Sequence, residues 1–186
     1  LFRSAPAAKR PHVLSAGRIW DEAKNIAALD AVAPHLSWSV LVAGDDAAPD
    51  GTRRPPRHLR HLGRLTSAAL ARRLAEAAVF ALPARYEPFG LAALEAALSG
   101  CALVLGDIPT LRELWDGAAL FVPPDDHGAL AGALDGLADD PDRVAALGAR
   151  ARKRARAYTA ERMTAGYLEA YADLMPLPAA VRGARF

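Results

Sequence analysis

Short apolar runs alternate along this chain with stretches whose apolar residues recur every three or four positions, the pattern of repeated strand and helix units around a parallel sheet. The runs predict six strands, at His12–Ala16, Trp38–Ala43, His58–Leu62, Val79–Pro83, Ala102–Leu105 and Ala119–Val122. Between them the spacing predicts helices at Lys24–Val32, Ser67–Glu76, Leu91–Leu98, Thr110–Trp115 and Asp126–Leu137, the last capped by Asp125 or Asp126. After Pro141 only helical periodicity remains, over Asp142–Tyr158 and then Ala160–Met175, with Thr159 as the N-cap that separates them. Right-handed crossovers between six strands make a doubly wound, Rossmann-like α/β sheet with helices appended at its C-terminal end. The expected organisation is a linker at 1–11, a ligand-binding α/β domain at 12–158, a terminal helix at 159–176 and a flexible tail at 177–186.

In such sheets ligands sit beyond the carboxyl ends of the strands, so the loops that follow each strand are where chemistry is expected. The first, "SAGRIWDEAKN", has a single glycine rather than the three of a dinucleotide fingerprint. It places Arg18 at the strand end and Lys24 at the start of the next helix, where a guanidinium fork and a point charge can hold a diphosphate beside helix amides. The other reading of these two is solvated loop cations, with Lys24 paired to Asp21 or Glu22. The second loop is in "RYEPFGLAALEA". Pro88 keeps Glu87 out of helical geometry, Gly90 permits close backbone approach, and a helix opening at Leu91 turns unpaired amides toward the same space. Glu95, one turn further, can accept from a pair of vicinal hydroxyls, or can simply favour the helix dipole. In the third loop, "GDIPTLREL", Asp107 and Thr110 fit the cleft and helix capping equally well.

Composition narrows the partners. A length of 186 residues suits one sizeable domain, and a net charge of +2 with scattered arginines gives no nucleic-acid groove. The single cysteine, Cys101, excludes an internal disulfide and fits a reducing, cytoplasmic compartment, where it reads as a small buried hydrophobe. No apolar run reaches the ~20 residues of a membrane helix. Leu1 to Pro11 has no signal-peptide core and reads as a linker cut from something longer. "RRPPRHLRH" reads as a solvated loop, His58 and His61 as surface histidines, and the basic run Arg150 to Arg156 as a solvated helix face whose alanines are too small to enter a membrane.

Four segments, "LSAGRIWDEAKN", "HLGRLTSAAL", "ALPARYEPFGLAALEAALSGCALVLGDIPTLREL" and "AALFVPPDD", resemble glycosyltransferase family 4, the group 1 retaining transferases of the GT-B fold. The likeness runs from Pro11 to about Tyr171 and is to the C-terminal, donor-binding half of such enzymes. It implies that Arg18 and Lys24 hold the donor diphosphate and steady the leaving group, and that Glu87 accepts from hydroxyls of the donor sugar. The amides of Phe89, Gly90 and Leu91 would meet sugar and phosphates, Glu95 the ribose, and the loop Gly63 to Thr66, through the Leu65 backbone, the nucleobase. Arg18, Lys24 and Glu87 are the implied catalytic set. The resemblance further implies a UDP-, GDP- or ADP-sugar as substrate and a missing N-terminal acceptor-binding half, from the same gene or a separate chain, without which this chain is inactive. With no carboxylate cluster of metal-binding spacing no metal or other cofactor is expected, nor is nucleic-acid contact or membrane contact through this domain. A nucleotide-sugar-binding or regulatory module without catalysis is the alternative, separated by turnover with that half restored. An epimerase or phosphorylase on the same scaffold would want a cofactor lysine or further acid/base groups, which the five histidines do not supply.

Overall fold

The structure, a computed structural model, describes residues 8–174. Its elements in chain order are β1 (Arg10–Ala16), α1 (Ile26–Val32), β2 (Ser39–Ala43), β3 (Arg60–His61), α2 (Ser67–Glu76), β4 (Ala77–Leu82), α3 (Leu91–Leu98), β5 (Ala102–Gly106), α4 (Pro109–Trp115), β6 (Leu120–Val122), α5 (His127–Ala138), α6 (Pro141–Ala155) and α7 (Ala160–Leu174). The strands form one sheet in the order β3-β2-β1-β4-β5-β6, and every pair is parallel. This is the predicted doubly wound Rossmann-like α/β architecture.

Parallel strands covered on both faces have no polar side, which explains why β4 reads Ala-Ala-Val-Phe-Ala-Leu and buries every residue. Alternate strand residues feed two core layers. Val13, Val42, Val79 and Val104 meet Ile26 and Leu29 of α1 and Leu130, Leu134 and Leu137 of α5. On the other face Leu14, Phe80, Leu103 and Leu105 meet Leu74 of α2, the alanines of α3, and Leu111 and Trp115 of α4. Helix α6 packs through Val144, Leu147, Gly148, Ala151 and Ala155. Its small face is therefore an instrument of close packing: a Cβ on Gly148 would lie 2.4 Å from the Gly100 carbonyl oxygen. The cations of its last turns stay exposed, as expected, with Arg154 donating to the carbonyls of Leu114 and Asp116. Cys101 is buried, donates to the Leu74 carbonyl at 3.1 Å, and has its thiol pushed up by desolvation.

Several boundaries differ from expectation for identifiable reasons. Residues 9–11, assigned above to a linker, belong to the sheet unit: β1 starts at Arg10, and the Lys9 ammonium donates to the carbonyls of Leu74 and Ser99. The predicted strand at 58–62 shrinks to Arg60–His61 because the amides of Arg57, His58 and Leu59 all donate to the Asp30 carboxylate instead of to a ladder. His58 is accordingly outside the strand, while His61 bonds through Nε2 to the Gly44 carbonyl. The loop before it is braced rather than merely solvated, since Arg53 forks onto the buried Asp46 and Arg54 pairs with Glu22. Asp126, not Asp125, caps α5, accepting from the Ala129 amide at 2.8 Å.

One compact unit ends at Ala155, and a second begins at Arg156. Within the second, Thr159 caps α7 by accepting from the Arg162 amide, and Tyr167 and Tyr171 stack at 6.4 Å. Met175, the expected tail at 177–186 and the first seven residues of the expected linker lie outside the described residues. Among the described residues no helix is long and apolar enough to cross a membrane.

Candidate functional site

The chain runs one way across the sheet from β1 to β3 and the other way from β4 to β6, so the loops after β1 and β4 part at the carboxyl edge and leave a crevice. The backbone itself ties this edge together. Gly17 donates to the Ala43 carbonyl, Ile19 to Asp45 and Gly44 to Gly63, which laces the loops after β1, β2 and β3. Gly44 has no room for a side chain, because a Cβ there would sit 1.7 Å from the Gly17 carbonyl oxygen. Across the crevice the Arg85 amide donates to the Ala23 carbonyl at 2.9 Å, joining the loop after β4 to the loop after β1.

Asn25 completes the join. It is buried, takes the left-handed conformation (φ 54°, ψ 38°), and donates through Nδ2 to the carbonyls of Pro83 at 2.9 Å and Pro124 at 2.7 Å. One amide thus satisfies two loop carbonyls that would otherwise be costly to bury. It also ends the loop before α1, so Lys24 lies in the preceding turn and not, as expected, in the helix.

From that turn the Lys24 ammonium reaches Glu87 Oε2 at 2.7 Å, with both side chains only 15% exposed. The other oxygen of Glu87 accepts the Gly90 amide at 2.9 Å and, more weakly, that of Phe89 at 3.4 Å. Gly90 is left-handed (φ 80°, ψ 58°) at the head of α3, a conformation that suits glycine, and Thr110 holds the loop from behind by donating to the Glu87 carbonyl at 2.7 Å. Lys24, Glu87, Phe89 and Gly90 are therefore brought into one cluster, but not with the free carboxylate and open amides expected from sequence. Glu87 satisfies its own loop. Nor do Asp107 and Thr110 cap α4: its N-cap is Ile108, Asp107 forks with Arg112, and Thr110 serves Glu87.

Arg18 stands beside this cluster, its guanidinium 5.5 Å from the centre of the Trp20 ring. Its Nε and Nη2 both donate to Asp21 Oδ2, at 3.0 and 2.5 Å, while Asp21 Oδ1 takes the Ala23 amide at 2.9 Å. The partner that sequence offered to Lys24 belongs to Arg18. Arg18, Trp20, Gly44, Leu65 and Ala92 line an open cleft of about 730 Å³. Leu65 thus lines the cleft, and Glu95 follows Ala92 by one turn on the same side of α3. Glu95 is half-buried, and desolvation holds its carboxyl above the ordinary value. Leu91 is 67% exposed at the mouth, beside Tyr86 at 64% and Phe89 at 36%. Sequence reasoning named Asp21 and Thr110 without their partners, Arg18 and the Glu87 carbonyl, and did not assign Asn25 at all.

Comparison with known proteins bears on the family and the fold. A family model described as "Glycosyl transferases group 1" matches residues 10–140. The chain is 32% identical over 170 residues to a phosphatidyl-myo-inositol mannosyltransferase of Mycolicibacterium smegmatis, covering 86% of this chain and 44% of that protein. Sucrose-phosphate synthase from Thermosynechococcus elongatus superposes with a TM-score of 0.75 at 25% identity, over 88% of this chain and 45% of that one. HepE of Anabaena, solved in complex with UDP-glucose, shares the fold at a TM-score of 0.66 and 18% identity, over 77% of this chain and 43% of that one. The chain spans less than half the length of each of these proteins.

Proposed function

The chain belongs to the group 1 glycosyl transferases, and on that premise we propose that its sheet unit is the donor-binding half of a retaining, metal-independent glycosyltransferase that uses a nucleoside-diphosphate sugar. The observation that carries this reading is the meeting of Lys24 and Glu87 at the switch point, above the first turn of α3 and beside the cleft that Arg18 and Leu65 line. As the sugar–oxygen bond breaks, its electron pair passes to the diphosphate. Arg18 and Lys24 supply positive charge where that negative charge grows, and so do the work for which a metal ion is otherwise required. Glu87, released from Lys24, accepts from hydroxyls of the sugar. Glu95 accepts from the ribose, and the Leu65 backbone meets the base. The UDP-glucose held by HepE supports the donor class. The exposed apolar side chains of Tyr86, Phe89 and Leu91 support a second, acceptor-binding half that closes over this mouth.

Calorimetry tests the reading. Arg18→Ala and Lys24→Ala are each expected to weaken nucleoside-diphosphate binding by about 1.5 to 3 kcal/mol, the range for hydrogen bonds to charged groups, with the bare nucleoside far less affected and EDTA without effect. Equal losses for nucleoside and diphosphate would reject the assignment. Binding without acceptor-dependent turnover, even with an acceptor half supplied, would leave a binding module in its place.

Glu95 carries a pH signature. A protonated carboxyl accepts poorly from two hydroxyls, so the preference for ribo- over 2′-deoxynucleotides should grow as pH rises through the raised value of Glu95 and vanish below it. The sign for folding is opposite: with the folded value above the unfolded one, the contribution of Glu95 to stability is complete at low pH and is lost over that same rise. A ribose preference independent of pH, or surviving Glu95→Ala, would remove Glu95 from the site.

A further inference from the structure

Two cations and two carboxylates face one another at the switch point: Arg18 with Asp21, and Lys24 with Glu87. The charge that should attract a diphosphate is thus already neutralised from within. The two members of the first pair are not equivalent. The Arg18 side chain is 59% exposed, whereas that of Asp21 is 14% exposed and pinned by the Ala23 amide. The acid is the fixed partner, and the arginine is the one able to swing. Glu22, the next carboxylate in the chain, is not a rival for this role, since it is 81% exposed and pairs with Arg54. Burial disfavours the ionised form of Asp21, yet its bonds from Arg18 and Ala23, with the field of Lys24 behind them, hold its carboxyl below the ordinary value. It is therefore charged at neutral pH and lies within the influence of both cations assigned to the diphosphate.

We propose that Asp21 is a positioning residue that competes with the ligand for Arg18: it holds the guanidinium back until phosphate displaces it, and takes it again as the nucleoside diphosphate leaves. This rests on the donor-binding reading above. Binding exchanges one ion pair for another, so the gain from Arg18 is the difference between phosphate and Asp21. Such exchange lowers affinity for the product as well as the donor, and a site that must discharge a spent diphosphate after each transfer benefits from it.

The test is nucleoside-diphosphate binding by the full 186-residue chain, at equilibrium and by stopped-flow dissociation. Asp21→Asn keeps an oxygen for the Ala23 amide and removes the charge. It should tighten binding about fivefold, a scale set by one partly screened charge interaction, mostly through slower dissociation, and leave the nucleoside unaffected. Asp21→Ser, which also offers an oxygen to Ala23, should do the same and guards against a folding defect peculiar to asparagine. In an Arg18→Ala background both substitutions should be nearly silent. If Asp21→Asn and Asp21→Ser bind the diphosphate no better than wild type while Arg18→Ala still weakens it, Asp21 does not compete and the proposal falls alone. Tightening that persists without Arg18 would also overturn it, as a general charge effect. If wild type binds no nucleoside diphosphate and Arg18→Ala changes nothing, the donor-binding reading falls first and takes this proposal with it.

Discussion

Gly44→Ala is expected to lower the unfolding free energy by about 4 kcal/mol or more, in the range reserved for a substitution with no tolerated conformation. The added methyl would be driven to 1.7 Å from the Gly17 carbonyl oxygen, a backbone atom that cannot rotate away. Relief requires the loops after β1 and β2 to part, which breaks the Gly17 to Ala43 and Ile19 to Asp45 hydrogen bonds and displaces Arg18. Urea denaturation checks this against Gly132→Ala on α5, where nothing lies within 4 Å of the added carbon. There the exchange should stabilise by about 0.5 to 1 kcal/mol, since alanine is the better helix residue. Equal stabilities for the two variants would mean that the loops do not approach as described.

The second large effect is at Glu87. Truncation to alanine leaves the mostly buried Lys24 ammonium and the Gly90 amide without their acceptor, and should destabilise the fold by about 2 to 3 kcal/mol. Lys24→Ala should cost a similar amount, and the double variant less than the sum, because the stranded charge is gone. Glu87→Gln separates stability from ligand reading. It keeps an oxygen for Gly90 and frees Lys24, so affinity for the bare diphosphate should hold or rise. The additional affinity of the sugar-bearing donor should disappear, and turnover of the complete enzyme should fall about 10²- to 10³-fold, the scale for loss of one charged contact that tightens in the transition state. A parallel loss for both ligands would make Glu87 a brace for its loop and nothing more.

What was legible in the sequence divides along a physical line. Helices α2 and α3 begin and end where their residues say, because Thr66 caps one and Gly90 opens the other by means internal to the chain nearby. The strand pattern, the switch point and the two loops that face each other there follow from apolar runs alone. Partner choice did not follow. Neighbours in sequence suggested that Lys24 would pair with Asp21 or Glu22, but the fold carries Glu87, 63 residues away, to within 2.7 Å and leaves Asp21 to Arg18. Asn25 was opaque for the same reason: its turn makes sense only once the Pro83 and Pro124 carbonyls, brought from two other loops, stand above it. The strand at 58–62 was lost to Asp30, a competitor for amides that no local window contains.

The strand order has one more consequence. Strands β1, β2 and β3 come from the first third of the chain and β4, β5 and β6 from the next, and a single ladder, in which Val13 faces Val79 and Leu14 faces Phe80, sews the two sets together. A chain emerging from the ribosome holds β1 with a bare edge until β4 arrives, so closure of that seam is the late, sequence-distant event on which cooperative folding waits. On the reading proposed above, the donor would lie across the seam, held by Arg18 and Lys24 on one side and by Glu87 and Glu95 on the other. A nucleotide bound there would act as a stitch as well as a substrate: it would oppose separation of the two sets of strands, so occupancy of the site and amide-exchange protection along β1 and β4 are expected to rise together.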